Sequence, residues 1–284
     1  MRTLVLVLVA LLSSGCLGGP TPGVTLASCG MEGYEGFERQ VLDILAQSGI
    51  PSEVYLAGEP RQAAGMVARG QAQLALLPAD VTWDLYRSEP SFRRLRGIAI
   101  AGFLDLHILQ ATAGPLESLR ALDGLRVGLE AGDGRRYLAG VLNASGIRLD
   151  SFQCLDKTPS QSIKGLQEGT LDAAMFFLPQ GAPGVGLLLE DEGFAWVELE
   201  HTAIQRLKEA NPFLAKASVP AETYRLPTDG RTLRLPLIIV GHRDLNGEVV
   251  SLLAEAFLEE TGALLPIPLH DTAGRAARQE GLIQ

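Results

Sequence analysis

The chain has 284 residues, 46% hydrophobic and 20% charged, with a formal net charge of −9 at pH 7. Those values exclude a wholly disordered chain and argue against nucleic acid as a partner, because neutralising phosphates needs clustered Lys and Arg. The length suits one large domain or two modest ones.

The first sixteen residues read as an export signal. Met1-Arg2-Thr3 supplies a positive charge, Leu4 to Leu12 is an apolar run too short to span a bilayer, and Ser13-Ser14-Gly15 places small residues before Cys16. With Leu17-Gly18-Gly19-Pro20 following, the junction looks like a bacterial lipobox, in which Cys16 is lipidated after cleavage and becomes the mature N-terminus. Lipoboxes usually carry leucine three before the cysteine, and here Leu12 sits four before. Ordinary cleavage beside an incidental cysteine is the alternative. Either way the chain is expected to be exported, to the periplasm or the outer face of the membrane, with residues 1–23 as leader and linker.

Beyond the leader, strands and helices alternate. Val24–Cys29 reads as a strand, Phe37–Ala46 as a helix closed by Gly49, Ser52–Leu56 as a strand and Arg61–Arg69 as a helix stopped by Gly70. Leu74–Leu77 is a buried strand, Asp80 opens a helix to Tyr86, and Leu95–Phe103 and Leu106–Ala111 are two strand-like runs. The pattern then restarts. A short helix over Pro115–Leu122 precedes a strand at Leu125–Leu129, a glycine-rich turn and a helix over Arg136–Ser145. Next come a strand at Ser151–Leu155, a helix at Ser160–Gln167, a strand at Leu171–Phe177, a helix at Gly186–Glu192 and a strand at Trp196–Leu199. Helices near Thr202–Ala210 and Glu248–Thr261 flank an apolar strand at Leu233–Val240.

Such βαβ alternation implies parallel strands with helices on both faces. Its restart implies an α/β fold of two lobes around a central cleft, like the type II periplasmic binding proteins, and not one sheet continuous through both. Residues 24–112 form lobe 1, residues 113–235 lobe 2, and residues 236–284 return to lobe 1. Hinges are expected near Ala111–Pro115 and Leu226–Pro236. Cys29 and Cys154 fall in different lobes and are expected as separate thiols. Ligands of such folds sit at the carboxyl ends of parallel strands, where helix N-termini point inward, so an exported two-lobe protein is first of all a solute-binding protein.

The candidate pocket follows from that geometry. Gly132-Asp133-Gly134-Arg135 lies between a strand and a helix, where glycines let backbone N–H groups approach a ligand and the helix N-terminus adds partial positive charge. Arg135 and Arg136 could clamp a carboxylate. Asp133 could accept an ammonium group, pair with Arg135, or cap the helix. Asp80 stands where a strand meets a helix, as an N-cap or a cleft group, and Trp83 one turn on either lines the cleft or packs. Tyr34 follows the first strand, and Gln180-Gly181-Ala182-Pro183 forms the opposing turn. The four histidines, His107, His201, His242 and His270, show no metal spacing. No nucleophile elbow, Walker loop or dinucleotide fingerprint occurs. No cofactor and no catalytic residue is expected.

Several segments, in order, resemble the TAXI family of solute-binding proteins, which serve TRAP transporters. The tail is the most specific: Pro268-Leu269-His270, then Ala273, then Glu280-Gly281. Gly70-Gln71-Ala72-Gln73-Leu74-Ala75 with Asp80-Val81, Leu125-Arg126-Val127 with Gly132-Asp133-Gly134, Leu171–Phe177 with Gly181-Ala182-Pro183, and Val219-Pro220-Ala221 with Tyr224 match further segments. The pocket departs from the family. Gly33-Tyr34-Glu35-Gly36-Phe37 replaces a Gly-Thr-Tyr-Tyr-Pro run, Glu59, Pro60 and Ala63 replace a Gly-Ser pair and an Asn, and Arg135 follows the loop where the family has Thr. The resemblance implies an extracytoplasmic monomer. Such a protein would deliver a small organic anion, an amino acid or carboxylate, to a TRAP-type permease while tethered through lipidated Cys16. His270 would then be a structural histidine joining the tail to lobe 1. An enzyme on the same architecture, such as a dehydratase, and an exported sensor for a membrane kinase are the other readings.

Overall fold

The computed structural model describes residues 23–111, 124–130, 132–257 and 265–282. The leader with Cys16 and the helix expected at Pro115–Leu122 lie outside the described residues, as do the side chains of Asp133, Arg136 and Tyr137.

The first α/β unit runs β1 (Val24–Ser28), α1 (Glu35–Gln47), β2 (Ser52–Leu56), α2 (Pro60–Ala68), β3 (Leu74–Pro78) and α3 (Ala79–Ser88) into the long strand β4 (Leu95–Ala111). The second runs β5 (Arg126–Glu130), α4 (Asp133–Ala144), β6 (Gln153–Lys157), α5 (Pro159–Gln167), β7 (Ala173–Leu178), α6 (Pro183–Leu189) and β8 (Phe194–Trp196). Then come α7 (His201–Ala210), β9 (Ala215–Val219), α8 (Ala221–Tyr224), the long strand β10 (Gly230–His242), α9 (Gly247–Ala256) and α10 (Asp271–Gln279).

Local chemistry explains the elements. The Leu-Ala-Leu-Leu-Pro run of β3, parallel to β1 and antiparallel to β10, is buried along its whole length, as an inner strand covered on both faces must be. Helix α1 buries Val41 and Leu45 on one stripe and ends before Gly49, whose φ is 71°. Helix α5 starts with a reciprocal capping box between Thr158 and Gln161.

The strand order is β2-β1-β3-β10-β4-β7-β5-β6, with β8 on β4 and β9 on β10. Each half therefore carries a parallel trio in the same order, β2-β1-β3 and β6-β5-β7. The restart of the sequence pattern is this repeat. Two expectations are corrected. The sheet does not stop between the halves, because β4 and β10 are long enough to belong to both. And β4 is one strand where two runs were expected. Asp105, the residue that interrupts the apolar pattern, does not break the ladder. It is buried, directly opposite Arg234 of β10, and takes a bidentate pair of hydrogen bonds from that guanidinium at 2.7 and 2.8 Å. At Asp105 strand β4 changes partner, from β10 to β7.

The tail returns to the first half. His270 caps α10 by accepting from the Thr272 N–H, its own N–H donates to the Gly97 carbonyl on β4, and the Gly97 N–H donates to Pro268. This is the structural role read from the Pro-Leu-His segment. Cys29 and Cys154 are separate thiols. Strand β9 and helices α8 and α10 are the elements that periodicity did not reveal.

Removing one partner of a buried ion pair strands the other charge, at a cost of about 3–5 kcal/mol. Arg234→Met should therefore lower the urea-unfolding free energy by that order, while Arg231→Met, at the more exposed Glu198 pair on the same strand, should cost less than about 1 kcal/mol.

Candidate functional site

A cleft of about 530 Å³ opens where the two halves face each other. Its walls are the carboxyl ends of all six parallel strands. Cys29 to Tyr34 follow β1, Gly58 to Arg61 follow β2, and Asp80 follows β3. Glu130 ends β5 with Gly132 just beyond, Thr158 and Pro159 follow β6, and Phe177 lies near the end of β7. The crossing strands add Leu104 and Leu235 at the floor.

Three of the sequence-read residues, Tyr34, Asp80 and Gly132, line this cleft. Tyr34 is only 1% exposed, and its hydroxyl has no hydrogen-bond partner among the described residues. Gly132 is the N-cap of α4 with φ 67°, a backbone setting that favours glycine, and Asp133 and Gly134 are the first residues of that helix. Arg135 does not face the cleft wall. It pairs with Asp156 of the neighbouring strand β6 at 2.7 Å, so the expected clamp is spent inside its own half. Trp83 packs edge-on against Phe213 with Arg87 over its ring, away from the cleft lining.

The opposing turn is also turned inward. The N–H groups of Gly181 and Ala182, expected to face a ligand, both donate to the Tyr224 hydroxyl at 2.9 and 3.0 Å. Gln180 accepts from Arg234 and donates to Thr223. Tyr224 in turn meets His107 Nε2 at 2.8 Å, while His107 Nδ1 lies 2.8 Å from the Asp105 carbonyl. A carbonyl only accepts, so Nδ1 carries the proton and the tyrosine donates to Nε2. Burial pushes the His107 pKa down to about 4, in keeping with a neutral ring stacked on Phe176 and edge-on to Trp196.

The residue the sequence reading missed is Glu130. It closes β5 with its side chain buried, and one carboxylate oxygen accepts the Phe177 N–H at 3.3 Å. Burial pushes its pKa up to about 7; the Phe177 N–H lowers it, and the charges of Asp80 and Glu32 raise it. The available signal was a charged residue continuing an apolar strand into a glycine turn. Glu32, also missed, reaches across from the β1 loop to α5. Its Oε2 accepts from both the Ser160 N–H and the Ser160 hydroxyl, at 2.8 and 2.7 Å. Beside it Gly33, at φ 84°, comes so near Pro179 that a Cβ would sit 2.6 Å from the proline ring.

Residues 41–281 match the NMT1-like family over most of the chain. The chain belongs to the NMT1-like family. Solved structures similar to this NMT1-like chain share its fold at low identity. The periplasmic sulfonate-binding protein SsuA from Methylobacillus flagellatus is 16% identical over 85% of this chain and 68% of its own, with a TM-score of 0.54. The aliphatic sulphonate-binding protein SsuA from Escherichia coli is 13% identical over 92% and 76%, at 0.53. The ligand-binding component of an ABC-type import system from Staphylococcus aureus is 9% identical over 84% and 72%, at 0.51. No curated protein matches the chain. These likenesses establish the two-lobe α/β binding-protein fold.

Glu130 supplies a pH test. Its folded pKa is raised, so the folded state holds the proton more tightly than the unfolded chain, and stability is lost as pH rises from about 4.5 through about 7. The shift corresponds to about 3 kcal/mol at most. Glu130→Gln should raise the melting temperature at pH 8 and leave it near wild type at pH 4, as read by calorimetry of the ligand-free protein. An equal change at both pH values would show that the carboxyl is not buried as described.

Proposed function

We propose that this NMT1-like chain is an exported solute-binding protein that captures a small molecule in the cleft and presents it to a membrane transporter, without chemical turnover. The observation that carries this is the convergence of six parallel-strand ends from two repeated halves on one cleft, with two long strands crossing between the halves. Ligand contacts from both halves favour a closed arrangement, and closure is the signal a permease can read. The two lobes take the extents 24–112 with 236–284, and 113–235. The bend is placed in β4 and β10 around Asp105 and Arg234, where the strand partners change, in place of the expected Ala111–Pro115, because β4 beyond Asp105 already pairs with β7 of the second half.

The proteins of similar fold are by name binding components of ABC-type import and sulfonate transport. The tail resemblance, Pro268-Leu269-His270 with Ala273 and Glu280-Gly281, supports the TAXI type and hence a TRAP permease for this chain. Lipidated Cys16 would tether the protein at the membrane face. An organic anion as ligand is supported by the glycine loop at the N-terminus of α4 and by Arg135 and Arg136, and the Arg135–Asp156 pair removes Arg135 from that support.

A thermal-shift screen of the purified chain against amino acids, dicarboxylates, 2-oxoacids and amines tests the reading. A ligand at one hundred times its dissociation constant adds about 2.7 kcal/mol of stability. Small-angle scattering should then show a smaller radius of gyration with the bound ligand, and the ligand should be recovered unchanged. Conversion to product, or an unaltered scattering profile at saturation, would count against capture and delivery. In the native host, mass spectrometry of the membrane fraction should find acyl chains on Cys16; a mature N-terminus elsewhere removes the tether.

A further inference from the structure

The helix N-termini around the cleft would ordinarily invite an anion. In this chain its own acids stand at those positions. Glu32 occupies the start of α5, taking both the Ser160 N–H and the Ser160 hydroxyl. Glu59 is the N-cap residue of α2, and Asp80 lies in the first turn of α3. An incoming carboxylate or sulfonate would meet the field of these groups and of Glu130, while Arg61 on the same lining is paired with Glu89.

Deeper in, the chemistry points the same way. Glu130 is buried at the cleft wall with one N–H partner, from Phe177, and among the described residues no cation pairs with it. The charges that act on it, Asp80 and Glu32, are both negative. Tyr34, on the same cleft lining and within the field of Glu130, has a buried hydroxyl without a hydrogen-bond partner among the described residues. The Glu130 carboxylate and the Tyr34 hydroxyl both belong to residues of the cleft lining; the carboxylate can only accept, and the hydroxyl, which can donate or accept, has its lone pairs unused among the described residues. Among the described residues no group of three or more His, Cys, Asp or Glu is placed to hold a metal ion, and with the charges of Asp80 and Glu32 both negative at Glu130 an organic cation is the donor that suits the site. Leu104, Val81 and Leu235 supply an apolar wall for its carbon skeleton.

We propose that the cleft takes a solute bearing a protonated amine, whose N–H groups are received by the Glu130 carboxylate and the Tyr34 hydroxyl oxygen. The proposal rests on the solute-binding reading and names the ligand class of that same site. The hydrogen bonds are charge-assisted, formed in a partly dry cleft, and so strong relative to neutral ones.

Three four-carbon probes of the same length separate the possibilities on the purified full chain: putrescine (a diamine cation), butanediol (neutral) and succinate (a dianion). Methylammonium serves as a minimal amine that needs only the socket. Thermal shift and isothermal titration should show saturable binding of putrescine, weaker binding of methylammonium, and none of succinate. Glu130→Gln should weaken putrescine at least tenfold, and Tyr34→Phe several-fold, while both variants keep the wild-type circular dichroism spectrum. Should Glu130→Gln fail to fold, Tyr34→Phe carries the test alone, since it removes only an oxygen that has no partner among the described residues. Binding of succinate in preference to putrescine overturns the amine and leaves the solute-binding reading standing. Equal binding of butanediol and putrescine overturns the role of charge. Putrescine affinity unchanged in Glu130→Gln, or in Tyr34→Phe if that variant alone folds, overturns the assigned socket. Silence toward all four probes, and toward the amino acids, dicarboxylates and 2-oxoacids of the wider screen, overturns the solute-binding reading together with the amine.

Discussion

The antiparallel pairing of β4 with β10, pinned where Asp105 meets Arg234, is the constraint on which the molecule depends. Each strand serves two neighbourhoods. Strand β4 pairs with β10 over Leu95–Asp105 and with β7 over Asp105–Gln110. Strand β10 pairs with β3 at one end and β9 at the other. Neither half can build its sheet without them, and the position of the two trios relative to each other is set by their course. A buried ion pair is weak as a source of net stability but strong as a specifier, because every wrong register leaves a charge stranded. Here it fixes which residue of β4 faces which residue of β10 at the point where the sheet changes hands. Any opening of the cleft must be absorbed by bending of these strands. The register shifts in the β10–β4 ladder, between Leu237 and Ile238 and between Ile239 and Val240, are the irregularities that give such a ladder room to flex.

A second network ties the far turn to the same place. His107, two residues beyond Asp105, hands its ring to Tyr224, and Tyr224 holds the N–H groups of Gly181 and Ala182. The backbone donors of the turn are satisfied internally, and the turn becomes part of the wall's support. The reactive face of the cleft is left to the strand ends opposite, where Glu130 and Tyr34 stand. Rigid turn and polar strand ends divide the labour: one shapes the cleft, the other sets what it attracts.

Much of this could be read from the chain. Strands β1, β2 and β3 and the helices between them follow from apolar runs punctuated by Gly49, Gly70 and Asp80, and the repeated order of the second half follows from the restart of that rhythm. Tyr34, Asp80 and Gly132 could be placed in the cleft because each directly follows a strand. What failed did so for tertiary reasons. Arg135 looked like a ligand clamp because nothing local competes for it; its partner Asp156 is 21 residues on, on a neighbouring parallel strand. Gly181 looked like a donor to the cleft because Tyr224, 43 residues on, is invisible to local reading. The gap expected between Leu95–Phe103 and Leu106–Ala111 contains Asp105, whose partner Arg234 lies 129 residues away and is out of reach of local pattern. Glu130 lies one residue past the strand expected at Leu125–Leu129, and a carboxylate prolonging an apolar strand is itself a signal.

The sign of the cleft cannot be taken from the sign of the whole chain. A net charge of −9 draws cations toward the surface, but at physiological salt that field fades over a Debye length of about 8 Å. Selection between an amine and a carboxylate is decided closer in, by groups whose dielectric surroundings are poor. Helix N-termini contribute about half a positive charge each and would favour an anion. Glu32 at α5 and the acids at α2 and α3 offset that contribution where it is strongest. Glu130 then adds a carboxylate that the fold holds out of water without a described counter-ion, against a desolvation penalty that a bound cation would relieve. The same buried group that weakens the empty protein above neutral pH is the one a bound amine would stabilise, so the instability of the apo cleft and its preference for a cation have a single physical origin.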